Sequence, residues 1–307
     1  MSVSVILSTY NGSKYIIEQL ESIKKQTYSV DEVLICDDCS TDRTVDIIKE
    51  FISRNKLEEK WKLTINSSNK GWKRNFYELF LKASGDYIFT CDQDDIWDEN
   101  KIKLMVDFIS EKNATLVASD YIVFYEGQSV RLPRTKISKI SSNHSYEKIK
   151  KNRAILLIDR PGCTYCISSK IKEHFKQLWF DEYPHDALLW RIAFLTDSLY
   201  ILHEPLIRFR RHELNASDYK NRTISDRIEV AKYFVHFLSE LVKNRDLLEI
   251  DKKKQDYIKV ALIVQEKRIE VLKNRNLLGA VLMVRYAFYY PTVNTYLADV
   301  QAILKGK

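Results

Sequence analysis

Two hydrophobic periods take turns along the first hundred residues, and few folds accommodate that alternation. "VSVILST" is an apolar, β-branched run, and "KYIIEQLESIKKQ" after it spaces its apolar residues as a helix does. "DEVLICDD" is again a strand, ending in acids, and "STDRTVDIIKEFISRN" is again a helix. In that helix Ser40 or Thr41 is placed to cap, with Val45, Ile47, Ile48, Phe51 and Ile52 on the apolar face. "WKLTIN", "WKRNFYELFLKAS" and "GDYIFTCD" continue the series as strand, helix and strand. The alternation predicts an α/β fold with a mostly parallel central sheet, whose ligands bind outside the carboxyl ends of the strands. Thr9-Tyr10-Asn11-Gly12, Asp37-Asp38, Asn69-Lys70-Gly71 and Asp92-Gln93-Asp94-Asp95 all fall at such ends. Four polar clusters on one edge point to a site.

The last cluster, in "TCDQDDIW", crowds three carboxylates into four positions after the apolar run "YIFT". Like charges this close repel and raise one another's pKa unless a cation sits between them. From the residues alone the cluster is either solvated or holds a metal.

Past residue 100 the pattern loosens. "ATLVASDYIVFYEGQSV" reads as strand, "RLPRTKISKISSNHSYEKIKKN" as a polar, mobile connection, and "DEYPHDALLWRIAFL" as a helix started by a turn at Pro184-His185-Asp186. "SLYILHEPLIRFRRHELNAS" holds one more strand and a basic loop. From about residue 218 the pattern is helical to the end, a distinct appendage, with no repeats or low-complexity tract.

Composition narrows the class. A chain that is 45% hydrophobic and 30% charged is an ordinary globular protein. Its net charge of +7 and pI near 8.9 suit anionic small molecules or an anionic membrane surface and are too mild to argue for nucleic acid. "MSVSVILSTYNG" goes straight into a strand, so no signal peptide is expected, and "LLGAVLMVRYAFYYP" is too short and too interrupted to span a bilayer. The five cysteines include the C-x-x-C pairs Cys36/Cys39 and Cys163/Cys166. Paired units of this kind can hold zinc, but these lie far apart, and reduced, mostly buried thiols in a cytosolic protein are the preferred reading.

With these pieces in order, the chain resembles the family 2 inverting glycosyltransferases with a GT-A (nucleotide-diphospho-sugar transferase) fold. The resemblance runs from residue 3 to about 217 and rests on "VILSTYNGSKYIIEQLESIKKQTY", "EVLICDDCSTDRT", "NKGWKRNFYELFLKASGDYIFTCDQDDIW", "GCTYC", "HDALL" and "RFRRHELN". The "DQDDIW" form looks like the bacterial rhamnosyltransferase-type branch. It implies a catalytic domain over 1–217, with a nucleotide-sugar half to about 100 and an acceptor half beyond it, followed by a helical region over 218–307.

The resemblance also implies roles. Asp94 matches the family's ligand to a manganese or magnesium ion, and Asp92 its contact to ribose or metal. Asp38 matches the acid that hydrogen-bonds the nucleobase; a carboxylate accepting from an imide N–H selects uracil or thymine, hence a UDP- or dTDP-sugar. Thr9 and Asn11 match the loop along the nucleoside, and Lys73, Arg74 and Asn75 stand where polar nucleotide contacts are found. Asp186 matches the catalytic base, with His185 where a glutamate is commoner, so that His185 either meets the acceptor or packs. His212 matches a second metal ligand, Arg210 and Arg211 diphosphate contacts on a flexible loop, and Gly162 and Cys163 the border of the acceptor site. Asp95 either caps the next helix or orients the site.

Two other classes fit parts of the pattern. A nucleotidyltransferase also needs strand-end carboxylates and a metal, but "STYNGSKY" has one glycine where a phosphate loop is glycine-rich. A sugar-nucleotide-binding protein without activity has no need of Asp38, Asp92, Asp94 and Asp186 together. The implied acceptor is a hydroxyl of a glycan, glycoprotein or lipid-linked saccharide, and the implied location cytoplasmic or peripheral to the inner membrane face. For the helical tail, where Tyr286, Phe288, Tyr289 and Tyr290 cluster beside Arg285, packing within the chain, self-association and membrane contact all fit. A homodimer is expected there, since symmetric dimers are the commonest oligomers.

Overall fold

The computed structural model describes residues 1–125, 145–181, 183–212, 223–244 and 246–306. Strand β1 (Val3–Thr9) buries Val3, Val5, Ile6 and Leu7 completely, as a strand covered on both faces must. It lies between β2 (Glu32–Asp37) and β4 (Tyr87–Cys91), with β3 (Trp61–Ile65) outside β2, and all these pairings are parallel. Helices α1 (Ile16–Lys24), α2 (Thr44–Arg54) and α3 (Trp72–Lys82) connect them.

Beyond β4 the sheet becomes mixed. After β5 (Ile96–Trp97) and α4 (Lys101–Glu111) come β6 (Leu116–Tyr125), β7 (Tyr146–Lys148), β8 (Tyr165–Ser168), α5 (Lys172–Leu178), α6 (His185–Leu195) and β9 (Leu199–Arg211). The order is β3-β2-β1-β4-β8-β6-β9-β5, with β7 also on β9. Most of the polar connection expected over 131–152 lies outside the described residues, but its end forms β7, antiparallel to β9.

The chain divides into two compact units, one of 1–149, 160–193 and 198–215, the other of 150–159, 194–197 and 216–307. The boundary expected near residue 217 lies outside the described residues. The second unit is helical: α7 (Ile224–Lys243), α8 (Lys252–Lys273), α9 (Leu277–Leu282) and α10 (Val293–Lys305). Val264, Leu272, Met283, Tyr290 and Ile303 share its core. Beside them Asp299 accepts from Arg268 at 2.6 Å and Arg227 at 3.0 Å, so this buried carboxylate is paired.

Candidate active site

Strand register makes the edge. Thr9 pairs with Asp37, Asp37 with Ile65 and Leu7 with Cys91, which brings the ends of β1 to β4 level. Asp37 accepts from Thr9 Oγ1 at 2.7 Å, Ser40 N at 2.8 Å and Ser40 Oγ at 2.6 Å, so the buried Thr9 hydroxyl is turned to Asp37. Asn11 takes a left-handed φ of 47°; its N–H donates to Ser40 Oγ, and its Oδ1 accepts from Thr41 N. Ser40 and Thr41 are therefore occupied, and neither caps α2, which starts later, at Thr44, with no side-chain cap.

Asp38 is nearly enclosed. Its Oδ1 accepts from Asn66 Nδ2 and Lys70 N, and its Oδ2 from Gly71 N, each at 2.8 Å. A carboxylate offers about four acceptor positions; one on Oδ2 remains. Asn75, expected to touch nucleotide, is fully buried instead and holds Asn66 at 2.8 Å, because α3 points it inward. Lys70, Gly71, Trp72 and Lys73 line an open pocket over the start of α3. Arg74 reaches the same pocket already paired with Glu78 and Asp181, both at 3.0 Å, and lying over the Trp179 ring. Lys73 is half-buried beside Trp72.

The acidic loop is locked from two sides. Gln93, between the two acids, accepts from Tyr10 N at 2.9 Å and donates to Tyr10 O at 3.0 Å, clamping the loop to the end of β1. From the other side β9 pairs antiparallel with β5, Ile96 opposite Arg208. That pairing lets Arg210 N donate to Asp95 Oδ1 at 3.0 Å and Arg210 Nε to the Asp94 carbonyl at 2.8 Å. The Arg210 guanidinium also meets Glu18 at 2.9 Å and lies over the rings of Tyr15 and Phe124. Arg210 and Arg211 are thus the last residues of a strand, not of a loop: Arg210 is buried and braces the acids, and Arg211 is half-buried over Phe209.

His212 Nε2 lies 2.7 Å from Asp94 Oδ2, its ring against Tyr15. Asp92 is grouped with Asp95 and Cys163, their ligand atoms all within 4.8 Å of one another. Burial first, and then the carboxylates of Asp94 and Asp186, push the Asp92 carboxyl up to about 7. Asp95 is fully buried and does not cap α4, whose N-cap residue is Asn100; its Oδ2 has no hydrogen-bond partner among the described residues. Behind it Lys101 is fully enclosed, its ammonium over the Trp97 ring at 4.8 Å and pushed down to about 8 by burial. Burial also pushes the Asp95 carboxyl up, so the fold by itself disfavours charge on both Asp92 and Asp95, a cost that a bound cation relieves. Carboxylate oxygens with one imidazole nitrogen are a donor set that fits magnesium or manganese; the Cys163 sulfur beside them is a soft neighbour.

Across from the acids, Thr90 Oγ1 donates to the Gly162 carbonyl, and Gly162 lies against Asp186. A Cβ on Gly162 would meet Asp186 Cβ at 2.8 Å, so only glycine lets the first turn of α6 come this close. Asp186 Oδ1 accepts from Ala187 N at 2.7 Å, and the side chain is half-buried. His185 is resolved in favour of packing: it stacks on Phe76 with centroids 4.0 Å apart, and neither ring nitrogen has a hydrogen-bond partner among the described residues.

Burial pushes the His185 imidazole down to about 4, so it is neutral in the fold. Between about 6.5 and 4 the unfolded chain takes up a proton that the fold refuses, and stability falls as pH falls through that window. His185→Phe removes this linkage. Relative to the variant, the wild type is expected to lose about 2 kcal/mol between pH 7.5 and pH 5, read from urea denaturation at both. Parallel loss in the two proteins would mean that His185 is protonated in the fold.

The glycosyl transferase family 2 model matches residues 4–176, more than half of the chain. The chain belongs to that family. One relative, the dTDP-rhamnosyl transferase RfbG of Shigella flexneri, is 32% identical over 225 residues, 68% of this chain and 72% of the relative. Among solved structures, S. aureus TarS 1–349 in complex with UDP-GlcNAc is similar with a TM-score of 0.62 at 19% identity, covering 100% of this chain and 93% of that one. Mannosyltransferase PcManGT from Pyrobaculum calidifontis, in complex with GDP-Man and Mn2+, is similar with a TM-score of 0.53 at 16% identity, covering 99% and 87%. Identities this low speak to fold alone, and the fold is GT-A. This family 2 chain is a glycosyltransferase.

Three supporting residues, Gln93, Asn66 and Glu18, have no role in the sequence reading, and a fourth, Arg210, has a different one. Gln93 stands between the acids, Asn66 closes the run "WKLTIN", Glu18 lies in the first turn of α1, and from the sequence Arg210 is expected on the diphosphate. Only Gln93 had a signal, its place inside the motif.

Proposed function

We propose that this glycosyltransferase is metal-dependent and inverting, moving a sugar from a UDP- or dTDP-sugar to a hydroxyl of a glycan, glycoprotein or lipid-linked saccharide in bacterial surface polysaccharide or glycoprotein glycan synthesis. The observation that carries the reading is the crowding of acids at this strand end, where ligand atoms of Asp92 and Asp95 lie within 4.8 Å of each other and burial with the neighbouring carboxylates of Asp94 and Asp186 pushes Asp92 up to about 7. Asp38 presents its open acceptor position to a pyrimidine imide, and Asn11 shapes the loop beside it. Lys73 and Arg211 supply positive charge toward the diphosphate. Asp92, Asp94 and His212 would hold the divalent ion, which when bound supplies Lewis-acid stabilisation of charge on the departing diphosphate.

Asp186 takes the proton of the acceptor hydroxyl as that oxygen bonds the anomeric carbon. The bond from that carbon to the diphosphate oxygen breaks on the opposite side, the nucleoside diphosphate leaves with the electron pair, and configuration inverts. Glu18, Arg210 and Gln93 hold the acids in place. Among the described residues no helix is long and apolar enough to cross a membrane, and all five thiols are free, which suits the proposed cytoplasmic location.

Thermal unfolding against a panel of sugar nucleotides tests the donor assignment. A UDP- or dTDP-sugar at about a hundredfold excess over its Kd is expected to add ~2.7 kcal/mol with manganese present. Slow release of UDP or dTDP without acceptor is expected in the same samples. Stabilisation by nucleoside triphosphate with release of pyrophosphate would make the chain a nucleotidyltransferase instead.

A further inference from the structure

In the helical unit, α10 buries Tyr296, Asp299, Ala302 and Ile303 and leaves a second apolar stripe outside its core. Val293, Leu297 and Leu304 recur at helical spacing on that other face and are exposed, while Val300 packs toward the core. Helix α9 does the same: Ala280 is buried while Leu278 is 70% exposed, with Val281 and Leu282 exposed beside it in sequence. Between the two helices Phe288 is 86% exposed, the barest large hydrophobic among the described residues. A concentration of this kind marks an interaction surface.

Charge selects the partner. Across residues 273–306 the cations are Lys273, Arg275, Arg285 and Lys305, all exposed, and the single acid is Asp299. That acid is buried and paired with Arg268 and Arg227. The segment 273–306 therefore exposes aliphatic and aromatic side chains with cations and no carboxylate of its own. A second copy docked symmetrically on this segment would bring like charges together, and the segment has no exposed carboxylate to offset them. An anionic bilayer surface accepts both components, apolar side chains at the acyl boundary and cations at the headgroups. We propose that the α9–α10 surface, led by Leu278, Phe288 and Leu304 with Arg275 and Arg285, docks on an anionic lipid surface.

The full chain is mixed with phosphatidylcholine vesicles made with and without phosphatidylglycerol, and bound protein is measured by flotation. Binding is expected only with phosphatidylglycerol, and is expected to weaken with salt. Leu278→Ser with Phe288→Ser is expected to lower the partition coefficient by about tenfold or more, and Arg275→Gln and Arg285→Gln by about fivefold each. Circular dichroism melts establish that these surface variants fold. No binding, binding indifferent to the variants, or a micromolar dimer that the Leu278→Ser/Phe288→Ser protein loses would each overturn the proposal. The assay reads no turnover, so its failure leaves the catalytic assignment standing.

Discussion

Asp186→Asn is expected to lower turnover by about 10²–10⁴-fold, the usual contribution of a general base, with donor affinity nearly unchanged. The amide keeps the size of the side chain and, through Oδ1, the hydrogen bond from Ala187 N. The close packing of Gly162 on Cβ is untouched. What the amide lacks is a basic site for the acceptor proton. Removing this charge also relieves one of the repulsions that raise the Asp92 carboxyl, so donor binding is not expected to suffer. Single-turnover rates and donor titrations on the same variant separate the two effects. A variant with most of its rate intact would put the base elsewhere. His185, its neighbour, is a poor substitute, being enclosed against Phe76.

The second large effect belongs to the acids. Asp94→Ala is expected to abolish transfer and the metal-dependent part of donor binding while the fold survives. The Asp94 side chain is about one-seventh exposed, at 15%, and meets His212 rather than the hydrophobic core, so its loss opens no core cavity. The Arg210 brace on this loop reaches the Asp94 carbonyl and the Asp95 carboxylate, both of which the substitution keeps. Donor titrations with manganese and with EDTA give the size of the metal-dependent part. Equal activity of the wild type in EDTA and in manganese would remove the ion from catalysis, and the acid cluster would then need another cation.

Much of this site was legible because its signals are local. Strands and helices impose periods of two and 3.6 on neighbouring residues, so the alternation that opens the chain is visible without any partner in view. Polar residues that interrupt it at strand ends mark the edge of the candidate site, and Asp92 to Asp95 stand out because charge crowding is itself a sequence property. The fate of single side chains was less legible. Asn75 and Thr9 are as polar as Asn11, yet the first two are buried and the third is exposed. Whether a helix turns a residue inward depends on what lies against it. His185 offered two readings for the same reason, and the Phe76 ring decided between them.

By itself, then, the sequence determined the layered α/β plan and the strand-end edge on which the acids Asp92, Asp94 and Asp95 gather. Tertiary structure alone decided how those acids are held. Asp94 meets His212 from 118 positions away, and Asp95 meets Arg210 from 115. Both contacts exist because β5, two residues long, pairs with the far end of β9. A pairing of that length leaves almost no periodic trace, and its partner is chosen by the packing of the whole sheet rather than by anything within reach of either segment.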